Sequence, residues 1–109
     1  VSPQTQAFAQ AYGDGDALGL TQLLTPMEKS KRDALSETLK QWLTLLENAL
    51  MSRSGAQAVS PLARELARKR TAPALYGGIQ ALKKALEYTM SNVSPAAVCG
   101  WLSWELRKR

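Results

Sequence analysis

An all-α bundle of five or six helices is what this sequence predicts, and three observations carry that prediction. Glycine, proline and cap residues divide the chain into six stretches of helical length. Two of these stretches repeat leucine at intervals of three and four. β-Branched and aromatic residues are sparse and never alternate with polar ones over a useful run, so no strand is expected.

The first stretch, QTQAFAQAY, is alanine-rich and ends at GDGD, where glycine can stop one helix while Asp16 caps the next, ALGLTQLL. TPMEKSKRDAL then offers two starts for the third helix. One is Thr25 with Pro26 at the first helical position and Glu28 three residues on; the other is Ser30 with Asp33 three residues on. Projected at about 100° per residue, Leu35, Leu39, Trp42, Leu43, Leu46, Ala49 and Leu50 fall on one side, which makes this helix the core organiser. Lys31 and Arg32 project onto the upstream extension of the same side, so tight packing should begin only near Asp33. The helix should stop at SRSG, with Gly55 past its end and Arg53 near its negative pole.

A loop over AQAV leads to Ser60 and Pro61, a cap and a first-turn proline that open PLARELARKR, whose apolar side is Leu62 and Leu66. Pro73 separates this helix from ALYGGIQALKKALEYTM, in which Leu75, Ile79, Leu82, Leu86 and Met90 repeat as a buried stripe. Gly77 and Gly78 each cost about 1 kcal/mol relative to alanine inside a helix. They make sense if another backbone passes close or the first turn is loosely formed. SNVSP ends that helix and caps the last, with Ser94 before Pro95.

On the final helix Val98, Cys99, Leu102 and Leu106 form an inward stripe, while Trp101 and Trp104 lie ~60° apart on an adjoining flank. They widen the apolar arc to roughly 220°, well beyond the ~100° that one core contact requires. Two readings follow: an edge of the bundle showing one ring to water, or a contact with another chain whose energy concentrates on Trp101 and Trp104. Glu105 projects inside this arc, where an unpaired carboxylate is costly to bury; Arg109, another helix or another chain must partner it.

With 109 residues, 45% of them apolar and 21% charged, the chain has the size and balance of one soluble domain. No apolar run approaches the roughly 20 residues of a membrane span, and the N-terminus lacks the pattern of a secretory signal. The missing initiator methionine suggests a piece excised from a longer protein, or processing. A single cysteine and no histidine fit a reducing, cytoplasmic setting and speak against a zinc site. They also remove the commonest general acid/base and any Ser–His or Cys–His pair, and no phosphate-binding glycine loop occurs. No catalytic residue, metal, cofactor or small-molecule substrate is therefore expected. Glu28, Asp33, Glu37 and Glu47 read as a solvated face, and Cys99 as a small core residue.

The net charge of +5 concentrates in KSKR, holding Lys29, Lys31 and Arg32, in RKR at Arg68, Lys69 and Arg70, and in a second RKR at the chain end. Helix C-termini favour such residues through the dipole. Contact with nucleic acid is the alternative, although no aromatic residue interleaves with the charges along the sequence and no recognition helix emerges.

The segments FAQAYGDGDALGLTQLL, MEKSKRDALSETLKQWLTLLENAL and LYGGIQALKKALEYTMSNVSPAAV span nearly the whole chain. Together they resemble the C-terminal helical domain of bacterial DNA polymerase III clamp-loader subunits, most closely the delta-prime kind, with the gamma/tau kind as the alternative. The most telling pieces are the GD between the first two helices, EKSKRDAL leading into a leucine-rich helix, and the LEYTMSNVSP junction. The resemblance implies a collar domain that packs beside other clamp-loader subunits in a pentamer, supports sliding-clamp loading in DNA replication, and meets DNA only indirectly. ATP binding and the family's zinc-binding cysteines belong to modules upstream of this region. CGWLSW departs from the family's mainly aliphatic last helix.

Overall fold

The computed structural model describes residues 2–55 and 60–108. Six helices account for its regular structure: α1 Pro3–Gly13, α2 Ala17–Met27, α3 Arg32–Arg53, α4 Pro61–Lys69, α5 Ala72–Met90 and α6 Pro95–Arg107. Among the described residues there is no strand. The Cα radius of gyration is 12.9 Å, close to the ~13 Å of a compact chain of this length.

The core is built around α3. It packs on α5, α4 and α1, while α6 lies against α5 and α2, and α1 bridges to α2 and α4. Leu35, Leu39, Trp42, Leu46 and Ala49 of the expected stripe are buried, joined by Leu45, with Leu43 and Leu50 at its margin. Phe8 of α1 stacks on Trp42 with ring centroids 4.3 Å apart, and on Tyr12 at 5.5 Å. Trp42 Nε1 has no hydrogen-bond partner among the described residues, so ring stacking and burial hold this indole in place.

Local chemistry accounts for most helix ends. Ser2, Asp16, Ser60, Thr71 and Ser94 each accept the backbone N–H three residues on. Asp16 has two roles. Its own N–H bonds Ala11 O at 2.9 Å while Gly15, at φ +67, bonds Tyr12 O, closing α1 in a Schellman motif as α2 begins. Asn92, at φ +68, does the same for α5, with Val93 N–H donating to Tyr88 O at 3.1 Å.

The structure corrects four expectations. Neither proposed cap opens α3: α2 continues through Pro26 to Met27, and α3 begins after Lys31, which makes no side-chain cap bond. Met27 is buried at the end of the extra turn, and α2 closes in tighter bonds such as Ser30 N to Met27 O at 3.0 Å. Thr25 Oγ1 donates back to Thr21 O instead of capping.

The apolar side of α4 is mainly Ala63, Leu66 and Ala67, with Leu62 only half-buried, because alanines let α4 sit close to α3. Met90 lies 80% exposed, and Thr89 takes the buried place at the end of α5, its hydroxyl satisfied by Ala85 O. At Gly78 the close neighbour is a side chain, not a backbone. A Cβ there would lie 2.5 Å from the Tyr12 hydroxyl, and the first turn of α5 is well formed under its Thr71 cap.

Candidate association surface

Ser94 and Pro95 start α6 at a defined point, and Val98, Cys99, Leu102 and Leu106 are buried as the periodicity requires. The apolar arc is wide because two helices cover α6. On one edge Ser103 Oγ pairs with Thr21 Oγ1 of α2 at 3.1 Å; on the other Trp101 meets Tyr88 of α5 edge to face at 5.2 Å. Part of the excess arc is therefore answered within the molecule.

The two tryptophans separate at this point. Trp101 is half-buried and packs against the core, whereas Trp104, one turn later, is 56% exposed. Arg107 and Lys108 reach over the Trp104 ring, at 5.6 and 5.3 Å from its centroid, and Lys84 of α5 lies 5.5 Å from the Tyr88 centroid. Glu105 is largely covered and bonds Lys108 Nζ at 3.1 Å. One partner is thus the residue three positions on; Arg109, also expected as a partner, lies outside the described residues. Tyr88 and Trp101 thus form one aromatic pair, with Lys84 over Tyr88, and Trp104 stands one turn on with Arg107 and Lys108 over its ring.

Sequence reading points to Trp101, Trp104 and Glu105 as an association surface and to Arg107 and Lys108 only as part of a basic cluster, and it gives no sign of Tyr88 or Lys84. The α6 cations were accessible to it, since positions three and four after Trp104 share its face. Tyr88 and Lys84 were not, because only the packing of α5 on α6 brings them alongside.

The basic clusters do not form one surface: KSKR lies apart, whereas Arg70 and Arg107, from the two RKR clusters, line one cleft with Tyr12 and Leu20. Arg32 Nη1 donates to Thr89 O at 2.8 Å and Val93 O at 2.7 Å, at the C-terminal end of α5. Lys69 bonds Asp14 at 2.8 Å, Arg68 bonds Glu65 at 2.6 Å, and Arg70 lies over the Tyr12 ring, all near the other end of α5. The hydrogen bond from Arg68 holds the exposed Glu65 carboxyl below its ordinary range. A 19-residue helix is about 28 Å long, so the two groups are separated by most of the molecule. Lys29 and Lys31 are exposed in the turn before α3.

Cys99 is buried, and that burial, with a smaller contribution from Glu28, pushes its thiol up to about 11, away from the reactive thiolate. Between α1, α3 and α4 runs an open groove of about 470 Å³, where Gln41 Oε1 accepts from both Ser2 Oγ and Thr5 Oγ1 at 3.0 Å. Among the described residues no three His, Cys, Asp or Glu side chains gather as metal ligands, and no helix is long and apolar enough to cross a membrane.

No family model, curated protein or solved structure matches the chain.

Proposed function

We propose that this domain is a scaffold that joins neighbouring subunits in a bacterial DNA-replication clamp loader, occupying one place in its cytoplasmic collar as the delta-prime C-terminal domain does. Its task in this reading is spacing: it holds ATP-hydrolysing neighbours in register and performs no chemistry itself. Support comes from the resemblance of its helix junctions to that family and from its six-helix architecture.

The observation that carries the reading is Trp104, an indole left 56% exposed on a helix fixed from two sides. Moving the open half of such a ring out of water is worth about 2–3 kcal/mol, enough for a dominant interface contact. Trp101 has a different part, because its ring already packs on Tyr88.

The test compares two variants in the full-length subunit, with assembly followed by sedimentation with the other clamp-loader subunits of the same source. Trp104→Ala should weaken assembly at least tenfold while shifting the melting temperature by no more than a few degrees. Trp101→Ala should lower the melting temperature instead. Unchanged assembly with Trp104→Ala would remove the basis for the reading.

A further inference from the structure

We infer that an open cleft between the end of α3 and α4 is a phosphate site, in which Arg53, Arg64 and Arg68 hold the sugar–phosphate backbone of a nucleic-acid duplex without reading its bases. The cleft, of about 450 Å³, is lined by these three arginines with Ser52 and Ala67, and no carboxylate is among the described residues that line it. The surrounding sequence is strongly one-signed. Residues 48–82 hold Arg53, Arg64, Arg68, Lys69 and Arg70 against Glu65 alone, a net +4 in a chain of +5. Glu65 is bound to Arg68, and Lys69 is paired with Asp14, so Arg53 and Arg64 remain without a carboxylate among the described residues.

The helix dipole accounts for Arg53 and Arg68, which stand in the last turns of α3 and α4, but not for Arg64, the fourth residue of α4. Arg64 and Arg68 share one face at a spacing of four, where like charges disfavour the helix, and the Arg64 side chain makes no hydrogen bond or ion pair among the described residues. An anion in the cleft relieves that repulsion. Arg53 and Arg68 are already set in place, through Ala67 O at 2.9 Å and Glu65 at 2.6 Å, and each bond uses one of the five N–H donors of a guanidinium. The lining selects the class of ligand. A protein partner needs an apolar core in its interface, and a single strand needs aromatic rings on which bases stack; neither lines this cleft, whereas contact with duplex phosphates is polar and positively charged.

The test is fluorescence anisotropy of a 20-base-pair DNA duplex of random sequence titrated with the 109-residue chain, with each variant's melting temperature measured. The wild type should bind at 50 mM NaCl, and log K should fall against log [NaCl] with a slope of about −2.7, the value for three phosphate contacts. Arg64→Gln with Arg68→Gln should weaken binding at least tenfold at 50 mM and reduce the slope to about −0.9, with the melting temperature moved by no more than a few degrees. Lys29→Gln with Lys31→Gln removes the same charge from exposed positions in the turn before α3 and should leave the slope unchanged. No duplex binding at 50 mM, or equal losses in the two double variants, would overturn the site. Tighter binding of a 20-nucleotide single strand would overturn the duplex as its ligand. Binding of poly-glutamate, but not of the duplex, that is lost with Arg64→Gln and Arg68→Gln would assign the cleft to an acidic protein instead.

Discussion

At Gly78 the fold tolerates no side chain, for a reason that sits 66 positions away in the sequence. The Tyr12 hydroxyl donates to Ala74 O at 2.9 Å, drawing the ring under the first turns of α5, and Leu46 Cδ1 would lie 2.9 Å from any added Cβ. Tyr12 is buried, stacked on Phe8 and covered by Arg70, so it cannot swing aside. Gly78→Ala should therefore destabilise the domain by about 1–3 kcal/mol in urea unfolding, against the gain that alanine normally brings to a helix. Tyr12→Phe alone should lose about 1 kcal/mol with its hydrogen bond, and the double variant should lose less than the sum of the two. Strict additivity would show that the hydroxyl is not what excludes the methyl group. The glycine was legible as an anomaly inside a helical run; the tyrosine behind it was not, because no local pattern links α1 to α5.

At the scale of the elements, capping was readable wherever it is local. Asp16, Ser60 and Ser94 were identified from sequence because an N-cap needs only a short polar side chain and the next three residues. The start of α3 was misread because its determinant is not local. Arg32 supplies a guanidinium to Thr89 O in the last turn of α5 and to Val93 O in the turn that follows it. That long-range cap, with Met27 buried one turn earlier, places the boundary between α2 and α3 where neither Thr25 nor Ser30 would put it. Arg32→Met keeps much of the stem and removes both bonds. It should destabilise the domain by about 1–3 kcal/mol by denaturant titration, while Lys31→Met, at an exposed neighbour, should stay within about 0.5 kcal/mol. Equal effects would mean that Arg32 serves only as surface charge.

For the molecule as a whole, the buried thiol gives stability a pH dependence in the alkaline range. Cys99 is held up to about 11 from its ordinary value of 9.0, so the folded state favours the neutral thiol. That contribution is fully present below pH 9 and is lost as pH rises from 9 towards 11, amounting to about 3 kcal/mol. Between pH 8.5 and 11 the wild type should lose more unfolding free energy than Cys99→Ala, and parallel curves would show that the thiol does not ionise on unfolding. Burial of Cys99 depends on α6 being closed against its neighbours, so the measurement reports on docking of the helix that also carries Trp104.

The sequence by itself determined the helical class, the division into six helices, most of their caps and the buried faces of α3 and α6, because leucine spacing and cap chemistry act within one or two turns. Tertiary structure alone decided the rest: which of two neighbouring tryptophans stays open, which cations border it, why Met90 faces water and where α3 begins. These depend on contacts between residues far apart in the chain. A side chain's periodic position says which way it leaves its own helix, and only the neighbouring helix determines what it meets there.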